Sequence, residues 1–448
     1  MLEAHSEAAE EQAYALIHAT SLTLEKKRLE RVTKLSLKSV GLRVLPPAIG
    51  SLDVLEHLDV SLNPQLHTLP DEIGELSRLR ILFTLGCSFT SVPAVLGKLP
   101  ALSMLSFKSN QLEHIASDAL APSIRWLILT DNRLQELPSN IGRLRGLQKL
   151  MVTNNLLTAL PDSLLECPNL EMIRASDNQI AQLPSGLLEH APLAWLALSG
   201  NPCTAAGAAG APPARVVALE ELQLGEELGK GAGGTVYQAT WLAQPDGPAV
   251  AVKVFRDAAA VSDGDPTHEI NAAGVVQHQN MIRVLAAVAP PSLGLVQELL
   301  AGYAPLGKPP SLETCTRDTY EEGTEFEAAF GLRALRGIAA ACSHLHAARH
   351  AHGDLYAHNI LVPADGEPKL GDFGATFSYG SLAAPSVEAV EVRAFGILIA
   401  EVASRMRAHE TADASARAEL HALAERSMGR PAERPTFSEL LLKISQLL

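Results

Sequence analysis

Apolar positions over the first two hundred residues follow a fixed order: LxLxxN, then LP, then I/L-G-x-L. The leading apolar residue falls at Leu35, Leu58, Leu82, Leu105, Leu127, Leu150, Ile173 and Leu196, in steps of 23, 24, 23, 22, 23, 23 and 23 residues. Eight copies at near-constant spacing predict a stack of like units, each burying its apolar residues against the next. The column five residues later reads Val40, Asn63, Cys87, Asn110, Asn132, Asn155, Asn178, Asn201. A buried Asn there can bond the backbone of neighbouring units, and Cys is a familiar substitute. Pro46, Pro70, Pro93, Pro138, Pro161 and Pro184 close the strand side of their units, and the fourth copy lapses at Ile115-Ala116.

Alternate residues of a strand face opposite sides. The column before the leading one (Lys34, His57, Ile81, Met104, Trp126, Lys149, Met172, Trp195) therefore points outward. The next outward column carries Phe83, Ile128 and Met151. Ile81, Phe83, Met104, Trp126, Ile128 and Met151 are expected to form one apolar patch, suited to a partner protein or to the chain's own second half. The plainer reading is apolar residues scattered over a surface.

This stretch resembles the leucine-rich repeat family, which implies an α/β solenoid with a parallel sheet on its concave side. Apolar spacing at Ala9, Ala13, Leu16 and Ile17 predicts a helix over 7–29 that caps the first unit. After Asn201 the period stops at PCTAAGAAGAPPAR, an Ala/Gly/Pro tract with no side chains to build a core. The expected division is a cap over 1–31, repeats over 32–203, a linker over 204–218 and a second domain over 219–448.

That second domain opens with LQLGEELGKGAGGTVYQATWL, in which Gly229, Gly231 and Gly234 make a GxGxxG spacing followed by Val236. The spacing alone is weak, because dinucleotide-binding folds share it. Here, however, TVYQATWL and AVAVKVF read as strands on the far side of the glycines, where a dinucleotide fold would open a helix. Lys253 lies in the second strand and Glu269 in a predicted helix, THEINAAGVVQ. Further on come HGDLYAHNIL (352–361), Asp372-Phe373-Gly374 and ERPTFSELL. By the order and spacing of these parts, 219–448 is identified as a member of the protein kinase family, which implies a bilobal α+β fold, ATP and Mg2+.

The resemblance implies roles. Lys253 would sit on the α- and β-phosphates, fixed by Glu269, and Asp354 would orient the attacking hydroxyl. Asn359 and Asp372 would hold magnesium. Gly229, Lys230, Gly231, Gly234, Val236, Ala251, Lys253 and Glu298 would bind the nucleotide. His352 would pack on Phe373.

Departures from the family pattern cluster in the catalytic loop. Gly353 replaces an arginine that pairs with a phosphate on the activation segment, and that segment is short here, about a dozen residues from Asp372 to Ala384-Pro385. We read the two changes as one design without loop phosphorylation; the rival is drift in a dead enzyme. Tyr356 replaces a lysine that helps neutralise the γ-phosphate, and His358 stands where tyrosine kinases place an arginine. Ser386 replaces the glutamate of A-P-E, although its usual partner Arg434 is present. Glu388 is a candidate substitute, and Glu391 takes the place of an aspartate on the following helix. His346, His350 and His352 are close in sequence but lack the ligand set of a metal site.

A formal charge of -14 argues against nucleic acid, whose binding needs clustered cations. Five scattered cysteines without a CxxC pair suggest a reducing compartment, and an acidic start with no membrane-length apolar run suggests a cytoplasmic protein. The sequence thus points to a protein kinase, with Ser/Thr preferred over Tyr, whose repeats serve protein recognition or autoregulation. The alternative is an ATP-binding pseudokinase scaffold, and a third reading makes the repeats the working part and the kinase fold a support.

Overall fold

The computed structural model describes residues 32–204, 213, 215–231, 233–243, 245–256, 264–274, 277–380 and 382–448. The predicted capping helix lies outside them. By compactness the chain forms two units. One holds the chain up to Leu170 with Asn178–Pro184, and the other joins Glu171–Asp177 to Ser185–Leu448.

In the first unit each repeat gives one three-residue strand: β1 (Lys34–Ser36), β2 (His57–Asp59), β3 (Ile81–Phe83), β4 (Met104–Ser106), β5 (Trp126–Ile128) and β6 (Lys149–Met151). They pair in parallel with one residue of each column opposite the next, as in His57↔Ile81 and Trp126↔Lys149. The leading leucines are buried, and the Asn column carries the cross-links expected of it. Asn132 Nδ2 donates to Phe107 O and Leu129 O, both at 2.9 Å, while its Oδ1 accepts from Leu112 N at 2.9 Å. Cys87 Sγ reaches Val60 O at 3.4 Å, a weaker form of the same link. Short 3-10 turns follow Pro46, Pro70, Pro93 and Pro161, and the fourth copy, which lacks its proline, shows none among the described residues.

The outward patch differs from expectation. Ile81, Phe83, Trp126 and Ile128 are half-buried, whereas Met104 and Met151 are buried, at 7% and 8% exposure. Trp126 explains part of this: its Nε1 donates to Met151 Sδ at 3.3 Å, and Lys149 Nζ lies 4.3 Å above its ring.

The second unit begins with two more repeat strands, β7 (Met172–Arg174) and β8 (Trp195–Ala197), paired in parallel. A six-stranded sheet follows in the order β10-β11-β12-β14-β13-β9. Its strands are β9 (Val216–Val217), β10 (Leu222–Lys230), β11 (Gly234–Trp241), β12 (Val250–Phe255), β13 (Val284–Val288) and β14 (Gly294–Glu298). Helix α1 (Pro266–Ala272) lies between β12 and β13 in the chain, with Asp265 capping its start by accepting from Thr267 N.

The larger, helical part holds α2 (Ala328–Ala347), α3 (Ala384–Ala403), α4 (Thr411–Met428) and α5 (Phe437–Ser445). Its short strands are β15 (Ala304–Pro305), β16 (His350–Ala351), β17 (Ile360–Val362), β18 (Lys369–Leu370) and β19 (Phe377–Ser378). Helix α3 is apolar on nearly every face because it runs through the centre of this core. Met172 and Trp195 of the repeat strands, with Ala194 just before β8, belong to that same apolar cluster. No helix among the described residues is long and apolar enough to cross a membrane.

Candidate functional site

Strands β10, β11 and β12 form an antiparallel meander over a cleft of about 860 Å³. Gly229, Lys230, Gly231, Gly234, Val236 and Lys253 line its roof. The three glycines have different reasons to be glycine. A Cβ on Gly234 would lie 2.3 Å from Val254 O, so packing forbids one, whereas a Cβ on Gly229 or Gly231 would meet nothing within 4 Å. Those two leave the roof's backbone open to approach from the cleft.

Lys253 Nζ stands 2.8 Å from both carboxylate oxygens of Glu269 and 3.3 Å from Asp372 Oδ1. Burial alone would depress the ammonium, but Asp372 and Glu269 more than offset it and hold the pKa well above the ordinary lysine value. In return Lys253 draws the Asp372 carboxyl down to about 2. Asp372 sits in the left-handed region, φ 54°, a conformation that costs a non-glycine residue energy and recurs at functional sites.

The HGDLYAHNIL loop follows β16 in the chain. His352 packs edge-on against Phe373 with ring centroids 5.2 Å apart, and its Nε2 meets Gly371 O at 3.0 Å. Asn359 Nδ2 donates to Asp354 O at 2.9 Å and to Asp354 Oδ2 at 3.1 Å, which leaves the amide oxygen of Asn359 free of these bonds. Glu391 of α3 accepts from Gly353 N at 2.8 Å and pairs with His346 Nε2 at 2.8 Å, anchoring the loop to the core helix. His358 lines the cleft; Asp318 Oδ1 lies 2.7 Å from its Nδ1, and Asp318 Oδ2 accepts its backbone N–H at 2.9 Å. Burial lowers the His358 pKa, but the bond and charge of Asp318, helped by Asp354 and Asp372, raise it above the ordinary value.

Two expectations are corrected. Glu298 does not line the cleft: its carboxylate pairs with Lys369 Nζ at 2.7 Å and accepts from Arg283 N at 2.9 Å, while its neighbour Gln297 faces the cleft. Adjacent strand residues point to opposite faces, so only one of the two can. Ala251 is buried within β12, opposite Gln297 and two positions from Lys253, so it lies on the cleft side of the sheet. Glu388 does not replace the lost A-P-E glutamate. It accepts from Tyr379 Oη at 2.9 Å, and Arg434 donates instead to the carbonyls of Ala389, Gly429 and Ala191.

Sequence reasoning missed a set of residues from the repeat strands. Arg174 donates to Asp354 Oδ1 at 2.6 Å, and Trp195 stacks on Tyr356 and donates to Leu355 O at 3.0 Å. Glu171 is held by Arg317 at 2.7 and 2.8 Å, and Asp177 by His268 at 2.6 Å. The signal available was an outward Arg on one repeat strand lying diagonal to an outward Trp on the next. Gly353 also gains a steric reason. Its φ is +77°, and a Cβ would lie 2.6 Å from Ala375 O and 2.7 Å from Leu196 O.

Residues 222–383 match the protein tyrosine and serine/threonine kinase family, and residues 122–180 match the leucine rich repeat family. The chain is a leucine-rich repeat region followed by a protein kinase domain. The kinase domain is 32% identical over 171 residues to the serine/threonine-protein kinase mos of Gallus gallus, covering 35% of this chain and 48% of that protein. It is 31% identical over 169 residues to the epidermal growth factor receptor of Apis mellifera (36% of this chain, 12% of the receptor). Against serine/threonine-protein kinase 1 of Arabidopsis thaliana it is 34% identical over 155 residues (33% and 16%). The chain thus spans less than half the length of these relatives.

Proposed function

We propose that this chain transfers the γ-phosphate of Mg-ATP to a protein hydroxyl, with Ser/Thr as the acceptor, and that its repeats serve protein recognition and control of the kinase domain. One observation carries the reading: Lys253 is locked between Glu269 and Asp372 inside a glycine-roofed cleft. This arrangement suits a triphosphate, because a fixed cation and open backbone stabilise charge without reorganising during transfer. The functional division we keep is repeats over 32–203 and kinase domain over 219–448.

The residues present fit the nucleotide and the metal. Gly229, Lys230, Gly231, Gly234 and Val236 would cover the phosphates, and Lys253 would hold the α- and β-phosphates. Asn359 and Asp372 offer an amide oxygen and a carboxylate kept ionised at low pH, a donor set that suits Mg2+. When bound, Mg-ATP supplies the phosphoryl group and its charge neutralisation. Asp354 orients the acceptor hydroxyl, and Glu269 keeps Lys253 in place. His358, held by Asp318 and turned into the cleft, supplies part of the positive charge that Tyr356 does not. With Gly353 in place of the phosphate-binding arginine and few residues between Asp372 and α3, the domain does not depend on activation-segment phosphorylation. Ser/Thr preference draws on the two relatives named as serine/threonine kinases. For the repeats, Ile81, Phe83, Trp126 and Ile128 are the accessible part of the apolar face and the place for a protein ligand.

The test is incubation of the full chain with labelled ATP, Mg2+ and generic protein acceptors, beside Asp354→Ala and Lys253→Met. Label well above both variants, recovered as phosphoserine or phosphothreonine, is the expected result. Label no higher than in the variants would leave the scaffold reading, which the burial of Asp354 at 7% exposure favours.

A further inference from the structure

The two oxygens of Asp354 that would meet an acceptor hydroxyl already have donors. Arg174 Nη2 stands 2.6 Å from Oδ1, and Asn359 Nδ2 stands 3.1 Å from Oδ2. Side-chain exposure is 14% for Arg174 and 10% for Asp354, so the pair is largely shut off from water and the ionic bond is strong.

Arg174 is one of several ties. Beside it, the indole of Trp195 covers Tyr356 and bonds Leu355 O, and Leu196 O abuts Gly353. Ser199 Oγ donates to Thr376 O at 2.7 Å, three residues beyond Phe373. On the other side, Asp177 binds His268 Nε2 and Asp265 N, both at 2.6 Å, at the start of the helix that carries Glu269. The same strand pair therefore grips the helix behind Lys253 and the loop that carries Asp354.

We propose that the last two repeat strands, β7 and β8, are a built-in plug of the transfer site, with Arg174 occupying the position an acceptor hydroxyl needs, so that transfer requires their displacement. The proposal rests on the kinase reading above and names how that site is controlled. An acceptor oxygen has to come within about 3 Å of the carboxylate it bonds, and the burial of Asp354 under Arg174 and Trp195 leaves no such approach. A rival role for Arg174, as the cation that Tyr356 fails to supply, makes the opposite prediction about its removal. A ligand of the repeats opens the site only in so far as it binds the displaced form better.

The test uses the full chain, with Arg174→Ala and, as a milder cut of the same interface, Ser199→Ala. Two quantities are read with Mg-ATP and a generic acceptor: the transfer rate, and amide hydrogen exchange over 352–359 and 373–379. Faster exchange in both segments and a rise in transfer of about tenfold for Arg174→Ala are expected, the scale of losing one charge-assisted hydrogen bond. Ser199→Ala should move both readouts the same way by less. Unchanged exchange in both variants, or faster exchange with transfer falling below wild type, would overturn the plug. Faster exchange with no transfer in any form would demonstrate the occlusion while refuting the kinase reading, so the two failures are distinct.

Discussion

The indole of Trp195 lies flat on the phenol of Tyr356, ring centroids 4.5 Å apart and planes 1° from parallel. Trp195 is 1% exposed and Tyr356 5%, and the Tyr356 hydroxyl has no hydrogen-bond partner among the described residues. Burial, with the nearby charge of Asp354, holds the phenol neutral by raising its pKa well above the ordinary value. The residue that replaces the family lysine is thus a flat apolar seat. Tyr356→Phe keeps the stack and removes an unpaired buried hydroxyl, so stability in urea should hold or rise by up to about 1 kcal/mol. Trp195→Ala opens a large cavity and should cost about 3–5 kcal/mol in the same titration.

Gly353 is fixed by backbone geometry as well as by crowding. Any side chain must adopt φ +77° and sit against the carbonyls of Ala375 and Leu196. Gly353→Ala should cost about 2–4 kcal/mol, from left-handed strain plus overpacking. Restoring the family arginine should be worse still. Thermal unfolding of the two variants checks the order.

The His268–Asp177 bond gives a pH dependence with a definite sign. Burial lowers the histidine's pKa, but the hydrogen bond and charge of Asp177, with Asp265, carry it above the ordinary value. A raised histidine stabilises the fold fully below its unfolded pKa of about 6.5 and loses that contribution as pH rises through the higher folded value. Urea midpoints should therefore fall as pH rises from about 6.5 through the higher folded value. Asp177→Asn should flatten that slope.

Glu401 shows the reverse case. Burial and the charge of Asp318 push its carboxyl up to about 7, against the pull of the Tyr320 hydroxyl that donates to it at 3.0 Å. A raised carboxyl loses stability as pH climbs from about 4.5 through about 7. Glu401→Gln should consequently be more stable than wild type at pH 8, by up to roughly 3 kcal/mol, and close to it at pH 5. Paired denaturation curves at the two pH values decide it.

The repeat period and the kinase elements were legible because each obeys a local rule. Column spacing fixes which leucines are buried, and Asn63 and Cys87 bond where their column places them. Lys253, Glu269 and Asp372 come together as their motifs imply. Glu298 failed through the finest of local rules, the alternation of a strand: one position decides which face a side chain takes, and Gln297 has the cleft. Arg174 and Trp195 were illegible for a different reason. They occupy ordinary outward columns, and what distinguishes them is contact with Asp354 and Tyr356, 180 and 161 positions further along the chain. No period records such a meeting.

Met172, Ala194 and Trp195 share one apolar cluster with Leu335, Phe395 and Leu398 of the helical part. A polypeptide cut at the Ala/Gly/Pro tract and started at Leu219 would lack a wall of its own interior, with the face of Tyr356 laid bare to water. Such a fragment should be sticky and short-lived in solution. The unit that packs as one body takes in Glu171–Asp177, inside what looks like its neighbour.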